Sequence, residues 1–183
     1  MPREKSSNRA VASKIRRHMK LSPKEYRKLL SRLTKVVENK MCEKRWDNID
    51  YSSVPSVAMK NYGKAFIRND TQRFSSYLKD VSSGLTKINA GTLYPHDLIS
   101  RVMSWIASYS NEDSATSETE LTLIQEQWNN LPNYLMNNPE RILPVVDTSG
   151  SMYTDGSPSP IMVSIALGLY IAERNNGPFK DHF

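Results

Sequence analysis

Three oxygen-bearing side chains stand at alternate positions near the end of the chain: Asp147, Ser149 and Ser151. They follow the short apolar run 142–146 and surround Gly150. The run has the length of a buried strand, and the glycine indicates a turn after it. A loop leaving a strand end can bring alternate side chains together. One carboxylate and two hydroxyls suit a Mg²⁺ or Mn²⁺ ion that keeps several waters, so we predict a divalent-metal site here.

The residues after this loop predict half of a βαβ unit. The stretch 161–172 is apolar nearly all round, which is typical of a buried helix. Residues 175–178, Asn-Asn-Gly-Pro, end that helix. In open α/β sheets, ligands bind beyond the carboxyl ends of the strands, where residues 147–151 would lie.

These motifs resemble a known family. The string 145–152, VVDTSGSM, is similar to the first metal-binding loop, D-x-S-x-S, of von Willebrand factor A domains. Together with 87–96, Gln127-Trp128 and 164–175, it makes the chain from about Leu29 onward resemble a poorly characterised family of phages, large viruses, fungi and plants. Those proteins join a helical region to a von Willebrand A domain, a layout similar to that of the Ro/TROVE RNA-binding proteins.

The resemblance implies that the chain is either a fragment or a shortened relative. In von Willebrand A domains, a Thr and an Asp on later loops complete the metal site, and residues after Lys180 supply neither these loops nor the other strands of the sheet. The resemblance therefore implies an incomplete site, whose shell an acidic residue of a protein partner completes. An unpaired strand over 142–146 also predicts pairing with another chain, and so an oligomer formed through the exposed strand edge.

Composition limits the class of protein. With 183 residues, 38% hydrophobic and 24% charged, the chain can form one substantial core or two small ones. Its most apolar stretch is shorter than the roughly 20 residues of a membrane-spanning helix, and the N-terminus lacks an apolar signal region, so we expect no membrane role. The sole cysteine, Cys42, excludes an intrachain disulfide. We expect a cytoplasmic protein, in the host cytoplasm or the virion if the chain is viral.

Charge is distributed unevenly along the chain. Residues 1–45 contain 15 Lys and Arg against 4 Asp and Glu, a net charge of +11, whereas residues 46–183 contain 10 against 15, a net charge of −5. This asymmetry fits a polyanion such as structured RNA, an acidic protein surface, or a basic tail that only aids solubility. The residues we predict to bind nucleic acid are Arg16, Arg17, Lys24, Arg27, Lys28, Arg32 and Lys35. The same residues also fit any solvent-exposed helix face.

The overall pattern predicts a mainly α chain: an N-terminal helical region followed by the first β-α unit of an α/β, Rossmann-type, von Willebrand A-like domain. We divide it into a basic mobile arm (1–21), a helical region (22–110), a linker (111–119), and a helix with the partial A-like domain (120–183).

Capping signals predict where helices begin. Ser22, Pro23 and Glu25 form a capping box, which opens a helix running to about Arg45. Pro95 starts a later helix, and Ser117 with Glu120 forms another capping box. Five aromatic residues have helical spacing that favours a core role, although they could stack on unpaired bases: Tyr51, Tyr62, Phe66, Phe74 and Tyr77.

The sequence carries no enzymatic motif: there is no Gly-rich phosphate loop, Cys pair, H-E-x-x-H or nucleophile elbow. Ser149 and Ser151 have no base nearby in the sequence, so we do not expect an enzyme. We expect a non-enzymatic binding module of the Ro/TROVE-like type, which binds RNA or another polyanion through its basic helices and a partner through the metal site. The alternative is a protein-protein scaffold, or a virion or assembly component, that uses the A-like segment and has no nucleic-acid role.

Overall fold

The computed structural model describes residues 2–34, 36–108, 114–136, 140–154, 156 and 158–183. These residues are mainly helical, which confirms the predicted α class. Their α-helices are α1 (Pro2–His18), α2 (Pro23–Leu33), α3 (Val37–Cys42), α4 (Ser56–Asn69), α5 (Thr71–Ser82), α6 (Pro95–Ser108), α7 (Ser114–Asn129) and α8 (Pro160–Arg174). The chain divides into two compact units, Met1–Ile49 (the N-terminal unit) and Asp50–Phe183 (the C-terminal unit).

In the N-terminal unit, the segment predicted as a basic arm contains α1. Val11 and Ile15 lie one turn apart on this helix and stay about half exposed, at 52% and 46%. The Arg16 guanidinium donates to the Leu21 carbonyl at 3.1 Å, which closes the turn after α1. Mobility of this segment stays a prediction.

The single helix predicted from Ser22 to about Arg45 is wrong, because the structure breaks it into α2 and α3. The backbone is extended at Thr34 and at Val36. The side-chain amide of Asn39 donates to the Ser31 carbonyl at 2.9 Å. In a continuous helix, that carbonyl would instead accept from a backbone N–H one turn later. β-Branched residues at the break lower the helix propensity further.

The C-terminal unit is built around an aromatic cluster. Tyr51, Phe66, Phe74 and Tyr77 have ring centroids 4.9 to 6.1 Å apart. Phe66 and Phe74 are fully buried. These four aromatic residues are therefore core residues and not a platform for bases. Burial, together with the hydrogen bond from Tyr51 to Asp70, raises the pKa of the Tyr51 hydroxyl.

A second cluster holds α6, α7 and α8 together. Its buried members are Ala90, Leu93, Leu98, Ile124, Leu131 and Tyr170. The Tyr170 hydroxyl accepts from the Tyr134 amide at 3.0 Å and donates to the Pro132 carbonyl. The Arg174 guanidinium stacks over the Tyr170 ring at 4.4 Å and donates to the Trp128 carbonyl at 2.7 Å. This cluster fixes α8 against α6 and α7, and α8 in turn packs against residues that precede it in the chain, such as Val146.

α7 begins at Ser114, three residues before the predicted capping box. Ser117 lies inside the helix, is buried, and its carbonyl accepts from the Trp105 indole at 3.0 Å. Glu120 binds Arg101 instead of capping the helix. The predicted linker starts at residues 111–113, which lie outside the described part of the chain.

The predicted β-α unit is wrong, because no strand exists in the described residues. Residues 141–147 do alternate between exposed and partly covered positions. Val146 lies against Gly168 of α8, and the Asn175 amide donates to the Ile142 carbonyl. That alternation indicates an extended backbone, so we call this stretch the extended segment (141–147). No other part of the described chain pairs with it in a ladder, and a strand is defined by that pairing. The helix predicted at 161–172 is present as α8.

Candidate polyanion-binding helix and oxygen-rich loop

The capping box predicted at the start of α2 is confirmed. The Ser22 amide donates to the Glu25 carboxylate at 2.8 Å, and the Glu25 amide donates to the Ser22 hydroxyl at 3.3 Å. The Ser22 hydroxyl and amide together hold the pKa of Glu25 below its usual value. Pro23 occupies the first turn. The helix therefore begins at a defined residue, which determines the face on which each later side chain of α2 lies.

α2 presents two opposite faces. At about 100° per residue, its cations cover roughly 140° of the circumference and its apolar residues cover roughly 100° on the other side. The cations are Lys24, Arg27, Lys28 and Arg32. The apolar residues are Tyr26, Leu29, Leu30 and Leu33. All four cations are exposed, and no described carboxylate forms an ion pair with any of them.

The other three predicted nucleic-acid residues differ from this group. Arg17 is exposed on α1, and its Nε donates to the Ser13 carbonyl at 3.4 Å. Arg16 is partly covered and already bonded to a carbonyl, so it has a structural role. Lys35 lies outside the described residues. The α2 cations are therefore the coherent part of the predicted set, and we call them the α2 basic face (Lys24, Arg27, Lys28, Arg32).

Some cations of the C-terminal unit have carboxylate partners instead. Around the buried Glu120 carboxylate, Arg101 Nη2 lies 3.3 Å from one oxygen and Lys64 Nζ lies 3.1 Å from the other. Arg101 also donates to Gln127 at 3.1 Å. Burial lowers the pKa of the Arg101 guanidinium, while Glu120 acts in the opposite direction. The sequence analysis did not predict this network. Its one sign in the sequence is Glu120, a charged residue on the inward-facing side of α7.

Near this network lies a cavity of about 420 Å³. Lys60 and Arg101 contribute to its wall, but Lys60 Nζ lies 2.8 Å from Asp97. Each of these two cations thus has a carboxylate partner. The cavity therefore has little net charge with which to attract an anion, and we assign its polar groups to helix packing.

The oxygen-rich loop brings together the three side chains predicted to bind metal. The Ser149 amide donates to Asp147 Oδ1 at 2.8 Å, and the Ser149 and Ser151 hydroxyls lie 3.1 Å apart. Gly150–Tyr153 forms a 3₁₀ turn that curls the chain back. The bond from the Ser149 amide, helped by the Ser149 hydroxyl, lowers the pKa of the Asp147 carboxyl. An ionised carboxylate with two hydroxyls offers three oxygens, a set that suits a hard cation retaining water.

That loop has limits as a metal site. All three side chains are exposed. No cluster of three or more His, Cys, Asp and Glu capable of holding a metal exists among the described residues. The loop would therefore rely on neutral hydroxyls and water for most of its ligands, which favours weak binding.

Comparison with known proteins gives the family. Residues 1–139 match the family described as "Domain of unknown function (DUF2828)". The chain belongs to the DUF2828 family. It is also 32% identical, over 187 residues and 92% of its own length, to "Uncharacterized protein L728" of Acanthamoeba polyphaga mimivirus. It spans 30% of the length of that relative. No solved structure shows significant similarity to the chain.

This match corrects the resemblance inferred from the sequence. The DUF2828 family covers most of the chain, and the described residues lack the β-α unit on which a von Willebrand A domain is built. The acidic partner residue and the later metal-binding loops were implied by that resemblance alone, so the prediction of each is withdrawn with it. None of the described helices is long and apolar enough to span a bilayer.

Proposed function

We propose that this DUF2828 chain is a non-enzymatic module that binds RNA through the α2 basic face. The observation that carries the proposal is the grouping of four exposed cations on one face of α2. None of the four forms an ion pair with a described carboxylate, although Lys28 acts electrostatically on Glu25, whereas Lys60 and Arg101 in the C-terminal unit are paired. Exposed cations grouped on one helix face are available to replace the counterions of a polyanion.

The spacing along α2 supports the same function. Lys24, Lys28 and Arg32 recur every four residues, which places them about 6 Å apart along the helix axis. Like charges at this spacing repel and destabilise an isolated helix by a few tenths of a kcal/mol per pair. A phosphate backbone lying along the helix relieves that repulsion, so binding and helix stability favour each other.

The test compares two variants of equal net charge. One replaces Arg27, Lys28 and Arg32 with Gln. The matched control replaces three exposed cations of the C-terminal unit with Gln: Arg68, Lys79 and Lys87. Fluorescence anisotropy with labelled single-stranded and hairpin RNA measures affinity at about 0.1 M salt. We expect the α2 variant to bind about 100-fold more weakly, since three phosphate contacts are lost, and the control to bind within a few-fold of the parent.

Two results would contradict this function. Equal losses in both variants would mean that net charge alone, and not the α2 basic face, accounts for binding. An affinity for RNA no greater than the affinity for heparin would remove RNA as the specific partner.

A second candidate function is binding of a divalent cation by the oxygen-rich loop, which the 3.1 Å approach of the Ser149 and Ser151 hydroxyls favours. We expect Mg²⁺ or Mn²⁺ to raise the melting temperature of the parent chain but not that of Asp147→Asn. The control is Asp181→Asn, which changes the same charge at another exposed site of the same unit. A parent chain that melts at the same temperature with and without Mg²⁺ would exclude this function.

A further inference from the structure

The extended segment has unused hydrogen-bonding groups. Among the described residues, no backbone-to-backbone hydrogen bond involves residues 141–147. The one hydrogen bond that a described residue makes to their backbone comes from the side-chain amide of Asn175, which donates to the Ile142 carbonyl. An extended chain in this condition offers a row of donors and acceptors to another chain. Pairing with an extended chain is one of the recurring modes of protein recognition.

The two edges of the segment are not equivalent. In an extended chain, backbone groups of alternate residues point to opposite edges. Ile142, Pro144 and Val146 share one edge, where Asn175 already binds and where Pro144 has no N–H to donate. The other edge belongs to Arg141, Leu143, Val145 and Asp147. Every residue on that edge keeps its donor, and none of them makes a backbone-to-backbone hydrogen bond with another described residue.

The exposed face of the segment is apolar in the middle and charged at the ends. The Val145 side chain is 91% exposed and that of Leu143 is 49% exposed. An apolar groove of about 650 Å³ runs beside them and is also lined by Ile165 and Phe183. The opposite face rests on α8, where Val146 meets Gly168. The segment is thus supported on one side and uncovered on the other.

We propose that the extended segment pairs with the same segment of a second copy of this chain, as an antiparallel two-stranded ribbon centred on Pro144. In this register Leu143 lies opposite the partner's Val145, and Arg141 lies opposite the partner's Asp147. The ribbon forms about eight interstrand hydrogen bonds through the open edges, and the two prolines oppose each other at a position that needs no N–H.

Charge complementarity favours a second, antiparallel copy of the chain as the partner of the extended segment. The segment begins with a cation and ends with an anion, so an antiparallel copy makes two Arg-Asp pairs, whereas a parallel copy in register sets like charges against each other. The Asp147 side chain is exposed, so its carboxylate can also accept from the partner's arginine. A two-fold interface of this kind uses the same patch on both copies and closes after two.

The experiment measures association of the full chain by sedimentation at several concentrations, with EDTA present so that metal binding by Asp147 plays no part. We expect a monomer-dimer equilibrium. Arg141→Asp alone and Asp147→Arg alone each replace two attractive pairs with two repulsive ones, so each weakens the dimer about 10-fold or more. The double variant, Arg141→Asp with Asp147→Arg, restores opposite charges across the ribbon and regains the parent's association.

Two further variants complete the test. Val145→Pro removes a donor from the pairing edge at an exposed side chain, and we expect it to abolish the dimer while the helical circular dichroism stays unchanged. Lys180→Asp is the control for a charge reversal at an exposed site elsewhere in the C-terminal unit, and it leaves association as in the parent. The proposal is overturned by a chain that is monomeric at all concentrations up to about 100 µM. It is also overturned by a dimer indifferent to Val145→Pro, by a double variant as weak as the single ones, or by open-ended polymers.

Discussion

The carboxylate of Asp97 ties α4 to the first turn of α6. It accepts from Lys60 Nζ at 2.8 Å and from the Tyr94 amide at 3.0 Å. The side chains of Asp97 and Lys60 are each 23% exposed. Burial raises the pKa of Asp97, but the hydrogen bonds from Lys60 and Tyr94 outweigh it, so the pKa lies below its usual value.

A lowered pKa in the folded state makes the contribution of Asp97 depend on pH. The stabilisation is fully present above the unfolded-state pKa of about 4 and is lost as the pH falls through the lower folded-state value. We predict that Asp97→Asn lowers the free energy of unfolding by about 1 kcal/mol at pH 7 and by much less at pH 2. Urea unfolding at both values measures this difference.

The control for that prediction is Asp80→Asn, at an exposed carboxylate on α5. We expect it to change stability little at either pH. An Asp97→Asn effect of equal size at pH 7 and pH 2 would mean that the ionised carboxylate adds nothing to the contact.

Helices α4 and α7 approach each other closely at Gly63. A Cβ atom at this position would lie 2.4 Å from Cδ2 of Leu123, which is fully buried. The glycine weakens the helix relative to alanine, by about 1 kcal/mol. Close packing of the two helices is the reason for a glycine here.

We predict that Gly63→Ala destabilises the C-terminal unit despite its better helix propensity. Because Leu123 is fully buried, the added Cβ forces its side chain to repack. Overpacking costs about 1–3 kcal/mol, so we expect a net loss of about 1 kcal/mol. Urea midpoints measure the loss. Gly91→Ala is the control, because a Cβ there meets nothing within 4 Å. A Gly63→Ala chain as stable as the parent would show that α4 and α7 can separate without cost.

Local signals predicted part of this architecture. The capping box at Ser22, the helix start at Pro95 and the apolar helix near 161–172 needed no tertiary information, and all three are present. The break after Leu33 depends on Asn39 reaching back eight residues, which apolar periodicity does not reveal. The strand expected at 142–146 needs a partner chain for its hydrogen bonds, and residue types alone do not supply one.

The candidate sites follow the same division. The approach of Ser149 to Ser151 could be predicted, because alternate residues in a tight turn converge over a short stretch of chain. The pairing of Arg101 with Glu120 could not, since it depends on how α6 and α7 pack. The sequence also could not show that Arg16 differs from the α2 cations, because that difference depends on the hydrogen bond from Arg16 to the Leu21 carbonyl.

Over the whole molecule, charge follows the division into two units. The N-terminal unit contains 15 Lys and Arg against 5 Asp and Glu, a net charge of +10, and the C-terminal unit contains 10 against 14, a net charge of −4. Opposite net charges on two compact units fit a protein that directs one of them at a polyanion. Binding should then depend steeply on salt, because each phosphate contact releases a counterion.

The most direct test is the salt dependence of RNA binding by the full chain, measured between about 50 and 400 mM KCl. With four contacts from the α2 basic face, log Kobs is expected to fall with log salt at a slope of about −3 for single-stranded RNA. Neutralising Arg27, Lys28 and Arg32 removes about two units of that slope, whereas neutralising Arg68, Lys79 and Lys87 leaves it unchanged. A slope near zero, or the same slope in both variants, would contradict the account.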